Sequence, residues 1–303
     1  MRIIISGGSG FIGKALSKSL LADGHTVWIL TRNPQTRSLA EGARGIGWDG
    51  RTSAGWGELV SQADAIVNLA GESLGAGAWT KARKERILAS RVEAGKAITE
   101  AIRQAEQRPK VLIQASAAGY YGVHGDEDVS EDTPPGSDFL AETCKEWEAS
   151  SQAVEEMGVR RAVIRSGVVL SAQVGSALRR LMLPYSLLAG GPLGNGRRGF
   201  PWIHPADEVG AIRFLLENEK ARGVFNLSAP EPLSNADFGR ILAKVMRRPY
   251  WLPVPAFALR LLLGEMGILV LEGQFMYPRR LEEMGFQFRF NNAEGALQDV
   301  LAG

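Results

Sequence analysis

The sequence predicts an α/β fold, a doubly wound parallel sheet followed by a smaller, mainly helical C-terminal lobe. Three observations predict it. Short β-branched runs alternate with longer helical patterns through the first half of the chain, as in a parallel sheet covered on both faces. Glycines recur at positions 7, 10 and 13, directly after the first of those runs. After Arg165 the alternation gives way to a loop dense in Gly and Pro, then to segments rich in Leu, Pro and aromatics.

Taken in order, strands are expected at Arg2–Ser6, Thr26–Thr31, roughly Gly45–Trp48, Ala65–Leu69, Val111–Ala115 and Arg161–Arg165. Helices are expected at about Phe11–Ala22, Lys81–Gln104 and Phe139–Met157, with Gly24 and Gly158 where helices should stop. Asp64 and Pro109 mark the starts of strands. These elements make up a nucleotide-binding domain over residues 1–170. The second lobe, 171–303, starts with a helical run and the loop GGPLGNGRRGFPW, followed by a helix at Pro205–Glu217. A short strand near 223–229 is read as returning to the main sheet, so the lobes interleave. A distinct C-terminal segment starts at about 249.

Composition narrows the classes of function. Of 303 residues, 45% are hydrophobic, which is ample for a core, and Cys144 is the one cysteine, so no internal disulfide framework exists. The formal net charge of +2 gives no polyanion-binding stripe, and nucleic acid is not expected as a partner. Phe257–Tyr277 is the most apolar later stretch, but Arg260, Glu265 and Glu272 interrupt it. It reads as helices packed on a lobe or on a partner subunit, and no membrane span is expected. No targeting pattern follows Met1, so a soluble, cytoplasmic protein is expected, with a homodimer compatible. His25, His124 and His204 are scattered, and no cluster has metal-ligand spacing.

The run Ile3-Ile4-Ile5-Ser6 enters Gly7-Gly8-Ser9-Gly10-Phe11-Ile12-Gly13. Gly7 permits a tight turn out of the strand, and Gly10 lets backbone approach a pyrophosphate. Gly13 lets the following helix pack closely on the sheet, and that helix's free N–H groups point at the phosphates. This is the Rossmann-type pattern. Where an NAD-preferring site places Asp or Glu, the second strand ends Thr31-Arg32-Asn33, with Arg37 shortly after. A guanidinium suits a 2′-phosphate, so the expected cofactor is NADP(H).

Further motifs carry a family resemblance. Asn68-Leu69-Ala70-Gly71 follows the fourth strand and Ser116-Ala-Ala-Gly-Tyr120-Tyr121-Gly122 the fifth. Arg165-Ser166-Gly167-Val168 follows the sixth, then Trp202-Ile-His204-Pro-Ala-Asp207-Glu and Phe225-Asn226. With the glycine turn, they make the chain resemble the extended short-chain dehydrogenases/reductases, and most of all their atypical "epimerase family protein" branch with its own C-terminal domain. The resemblance implies cofactor contacts at Gly7, Gly10, Phe11, Ile12, Gly13, Thr31, Arg32, Leu69, Ala70, Gly71, Arg91, Ser116, Lys145, Ser166, Gly167 and Val168. It also implies a catalytic set of Ser or Thr, Tyr-x-x-x-Lys and a helix Asn.

That set is depleted. Lys145 matches the lysine, but Ala141 stands where the tyrosine belongs. Ala117 stands at the serine, with Ser116 one position early, and Arg91 at the asparagine. A methyl group neither donates nor accepts a proton, so the family mechanism cannot run unchanged. Tyr120, Tyr121, Glu142 and Cys144 are the nearby candidates for relocated chemistry; packing is the competing role for Tyr120 and Cys144, solvation for Glu142. His204 and Arg197-Arg198 are weaker candidates to meet a substrate. The carboxylates Glu127, Asp128, Glu131 and Asp132 read as surface. Two functions stay open. One is an NADP-dependent oxidoreductase or epimerase acting on an unidentified small molecule, with a nucleotide sugar one option. The other is a non-catalytic NADPH-binding protein.

Overall fold

The computed structural model describes residues 1–35, 38–124 and 127–302. Arg37 lies outside the described residues. Seven strands form one parallel sheet: β1 Arg2–Ser6, β2 Thr26–Thr31, β3 Arg44–Gly47, β4 Ala65–Asn68, β5 Val111–Ala117, β6 Arg160–Ser166 and β7 Gly223–Leu227, in the order β3-β2-β1-β4-β5-β6-β7. Ile3 aligns with Val27 on one side and Ala65 on the other, so β1 is an interior strand and the strand order reverses between β1 and β4.

The unbroken isoleucine run of β1 serves both faces. Ile3 and Ile5 pack with Leu16 and Leu20 of α1 (Phe11–Ala22) and Leu215 of α5 (Pro205–Glu217); Ile4 packs with Ile98 and Ile102 of α2 (Lys81–Gln104) on the other. All three isoleucines have no exposed surface. A strand covered on both sides needs no polar alternation.

α3 (Phe139–Ala149) is shorter than the expected Phe139–Met157. Ser150 Oγ donates to Trp147 O at 2.6 Å, and Ser151 leaves helical geometry. A hydroxyl that bonds nearby backbone competes with the helical ladder, and that of Ser150 does so at the helix end. A 3-10 turn, Gln152–Val154, follows.

The second lobe has its own core, where Leu178, Met182 and Tyr185 of α4 (Ala177–Ser186) meet Phe238 and Leu242 of α6 (Asn235–Met246) and Leu297 of α10 (Ala293–Ala302). Short pairings stitch it to the sheet domain: Trp202–Ile203 runs beside Val168–Val169, and Phe275–Met276 beside Asp128–Val129. The segment between α6 and α10 holds α7 (Ala256–Leu263), α8 (Ile268–Leu271) and α9 (Arg279–Glu283). Of this apolar stretch, α7 buries none of its residues against the lobe and leaves Phe257 and Leu261 exposed. No helix among the described residues is long and apolar enough to cross a membrane, and no cluster of three or more of their His, Cys, Asp or Glu side chains is placed to hold a metal.

Candidate active site

The carboxyl ends of β1, β4 and β5 are tied by buried side chains. Ser6 Oγ donates to Asn68 Oδ1 at 2.5 Å, and Asn68 Nδ2 donates to Gln114 Oε1 at 3.0 Å. This rigid floor lies where the strand order reverses, the place such sheets use to bind ligands. The glycine turn rises from it, and its three glycines differ in what requires them. Gly7 has φ +70°, and a Cβ on it would come within 2.5 Å of Leu69 O. A Cβ on Gly13 would come within 2.5 Å of both Gly7 O and Gly8 Cα. The chain's own packing therefore demands both. Gly10 is different: its backbone is ordinary extended chain (φ −78°, ψ 177°), and a Cβ would meet only Gly7 O, at 3.2 Å. Apart from that one tight contact the space is open, at the N-terminus of α1 and beside the half-buried Phe11 and Ile12.

Thr31 is buried at the end of β2, and Arg32 beyond it is exposed with no ion pair among the described residues. Leu69, Ala70 and Gly71 leave β4 opposite the glycine turn. Gly71 lies over Arg91, whose Cζ would be 3.1 Å from a Cβ placed there. Arg91 Nη1 donates to Glu72 O (3.1 Å) and Ile87 O (3.0 Å), and its guanidinium lies over the Trp147 ring.

Beyond the ends of β5 and β6 lies a cavity of about 200 Å³. Its walls include Arg91, Ala117, Ala118, Ser166, Gly167 and Val168 from the sheet domain, and Phe200, Pro201, Ile268 and Leu269 from the second lobe. α3 presents Leu140, Thr143, Cys144 and Trp147 to it. Lys145 is one step further around that helix, outside the lining. Its Nζ is 3.0 Å from Glu142 Oε1 and the side chain is 41% exposed. One residue is about 100° of helical turn, which separates the two faces. Ala141 is fully buried, so the cavity-facing pair at this four-residue spacing is Leu140 and Cys144. Burial pushes the Cys144 thiol up to about 11.

Neither tyrosine hydroxyl faces the cavity. Tyr121 is fully buried; its hydroxyl donates to Asn226 Oδ1 at 2.5 Å and accepts from Arg165 Nη1 at 3.1 Å. Burial pushes this phenol up to about 12, although Arg165 opposes the shift. Tyr120 packs its ring against the Arg165 guanidinium, 3.3 Å from Cζ to the ring centre. Ser116 Oγ donates to Glu148 Oε1 at 2.7 Å, and Glu148 grips Arg165 through both oxygens, at 2.9 and 3.0 Å. Ser116, Tyr120 and Tyr121 therefore belong to a buried ionic cluster behind the cavity wall.

One other expectation changes, and one weaker candidate falls outside the cavity. Glu131 is not surface: it is 6% exposed and accepts from the Asn226 and Arg280 backbone N–H groups. His204 is outside the cavity lining, as the N-cap of α5: its Nδ1 accepts from Ala206 N–H at 3.1 Å, its ring stacks on Phe290 and Nε2 lies 3.1 Å from Asp299 Oδ2. With Asp207, which accepts from the N–H groups of Arg289 and Phe290, it fastens the C-terminal segment to α5. Arg198 pairs with Glu272, and Arg197 is exposed on its loop.

Two features of the site escaped the sequence reading. The Leu140, Thr143, Cys144, Trp147 stripe has the i, i+3, i+4, i+7 spacing of a buried face, a signal legible in the sequence. Glu208, fully buried behind Ser166, gave no such signal.

A parallel sheet in this order, a glycine turn at its reversal point and a second lobe over its carboxyl ends define a dinucleotide-binding fold of the short-chain dehydrogenase/reductase class. The chain belongs to the NAD dependent epimerase/dehydratase family, whose sequence model matches residues 3–228. Residues 254–300 match DUF1731, a domain of unknown function. The chain is 39% identical to the epimerase family protein YfhF of Bacillus subtilis, over 100% of this chain and 98% of that protein. It is 38% identical to a chloroplastic SDR39U1 homologue of Arabidopsis thaliana, over 99% and 87% of the two. The crystal structure of human epimerase family protein SDR39U1 (isoform 2) with NADPH superposes with a TM-score of 0.88 at 33% identity, over 100% of both chains. A Thermus thermophilus UDP-glucose 4-epimerase structure (TM-score 0.75, 20% identity, 100% and 99% coverage) shares the fold.

Proposed function

We propose that this protein binds NADP(H) along the carboxyl edge of the sheet and is an oxidoreductase or epimerase-type enzyme acting on a small molecule in the adjoining cavity. The observation that carries this is Gly10, where the chain's own packing opposes a side chain through one contact alone, Gly7 O at 3.2 Å, and a bound pyrophosphate would need the space beyond it. The first-turn N–H groups of α1 would hold the pyrophosphate, and Arg32 the 2′-phosphate. Ala70 and Gly71 would line the path, and Ser166, Gly167 and Val168 would border the nicotinamide end. The human relative crystallised with NADPH supports the same choice of cofactor.

Bound there, the cofactor would supply hydride donation and acceptance. The chain's own part is to exclude water and to orient the reactant. Leu140, Trp147, Val168, Phe200, Ile268 and Leu269 make a largely apolar wall, and its polar points are Arg91, Asp138, Thr143, Ser166, Glu272 and Gln274. Leu140 and Cys144 offer no ordinary proton donor on α3, which favours the non-catalytic reading as the alternative. Titration of wild type and Arg32→Ala with NADPH and NADH tests the cofactor. Arg32→Ala should lose roughly ten- to a hundredfold in NADPH affinity, the worth of one charge-assisted contact. Equal wild-type affinities for the two cofactors would overturn the choice of NADP(H). Absence of any NADPH oxidation across a panel of carbonyl compounds and nucleotide sugars would move the reading to the non-catalytic one.

A further inference from the structure

Glu208 sits in the first turn of α5 with 1% of its surface exposed. Its Oε1 accepts from Ser166 Oγ at 2.7 Å, and its buried Oε2 has no partner among the described residues. Ser166 lines the cavity, so a fully buried carboxyl stands one hydrogen bond behind the cavity wall.

Among the described residues, no cation faces it from the elements packed against α5. On α1, Lys14 and Lys18 are exposed. β5 brings the neutral Gln114 and Ser116, and Arg165 of β6 is taken by Glu148 and Tyr121. Arg160, also on β6, donates to Leu215 O, Leu216 O and Ala221 O beyond the far end of α5. On α5 itself, His204 holds Asp299, Asp207 the Arg289 and Phe290 N–H groups, and Arg213 Asp23. A buried carboxylate with no counter-charge is costly, and such a group keeps its proton instead.

We propose that Glu208, acting through Ser166, is a proton-linked selector between the two oxidation states of the cofactor. The inference rests on the NADP(H) reading above. The oxidised nicotinamide carries one positive charge and the reduced ring none, and only the former supplies the counter-charge that ionised Glu208 lacks. Binding NADP+ therefore releases the Glu208 proton to solvent, leaving carboxylate beside cation; binding NADPH leaves the acid protonated. No bond to carbon changes and no electron moves. Burial raises the Glu208 carboxyl to about 7, so the exchange falls in the physiological range. The sign follows. A positive neighbour lowers the bound-state pKa, so NADP+ affinity climbs as pH rises toward about 7 and then levels, and NADPH affinity does not follow it.

The test is calorimetric titration of the full chain with NADP+ and NADPH from about pH 5.5 to about pH 8.5, in two buffers of different ionisation enthalpy. Taking the ratio of the two Kd values cancels titration of the 2′-phosphate, which both forms share. The ratio Kd(NADP+)/Kd(NADPH) should fall about tenfold across the range, the effect of about one pKa unit of coupling. NADP+ binding near pH 6.5 should release a measurable fraction of one proton that NADPH binding does not. Glu208→Gln should flatten the ratio. A wild-type ratio independent of pH, equal proton release for both forms, or a pH dependence retained in Glu208→Gln would overturn the proposal while leaving NADP(H) binding standing. Should the variant not fold, proton release by the wild type decides. Binding of neither form would overturn the cofactor reading, and this inference with it.

Discussion

Replacing Gly10 and Gly13 each by alanine should separate what the turn does for the fold from what it does for a ligand. At Gly13 the new methyl would lie 2.5 Å from Gly7 O and Gly8 Cα, both backbone atoms that no rotamer can move. Relieving that overlap means parting helix and turn by about 1 Å, at an overpacking cost of about 3 kcal/mol, from which about 1 kcal/mol of gained helix propensity is subtracted. The net loss of about 2 kcal/mol lowers the melting temperature by several degrees in a chain of this size. At Gly10 the methyl meets one atom at 3.2 Å with unstrained dihedrals, so stability should change by less than about 1 kcal/mol. Its methyl nevertheless projects where a pyrophosphate must approach, and NADPH affinity should drop by at least about tenfold. Thermal melts with NADPH fluorescence titration on both variants give the comparison. Wild-type NADPH affinity in Gly10→Ala, or equal destabilisation by the two changes, would refute the assignment of their roles.

Three more outcomes are expected. Lys145→Ala should leave NADPH affinity within about twofold, because the lysine pairs with Glu142 on the solvent side of α3; a larger loss in titration would place it at the ribose after all. Cys144 should react with iodoacetamide about a hundredfold slower than a free cysteine at neutral pH. Its thiol is raised from 9.0 to about 11, so thiolate appears only as pH climbs well above neutral, and mass spectrometry against pH checks this. Glu148→Ala should destabilise the fold by about 3–5 kcal/mol in denaturant melts, because it strands the buried Arg165 guanidinium, and the isosteric Glu148→Gln should cost less.

Much of the architecture was legible because it depends on local pattern. Ile3-Ile4-Ile5 reads as a two-sided buried strand, and α2 runs from Lys81 to Gln104 as its periodicity predicts. The glycines at 7 and 13 follow from the turn and the close packing of α1 on it. The position of the glycine turn at the sheet's reversal point was readable for the same reason. The end where a reactant would sit was not, since its residues come from β5, β6, α3 and the second lobe together, and no local spacing records which of them converge.

By itself, then, the sequence determined the order of strands and helices and the glycine turn after the first strand, because each rests on residue type and short-range spacing. The tertiary structure alone decided which way side chains point. It turned Lys145 outward and Cys144 inward across a single helical step, locked Tyr121 between Arg165 and Asn226, and buried Glu131 and Glu208. Orientation and burial are set by what packs from elsewhere in the chain: Asn226 lies 105 positions from Tyr121, and Ser166 lies 42 positions from Glu208. A carboxylate reads as surface until the fold removes its water, and only long-range packing does that.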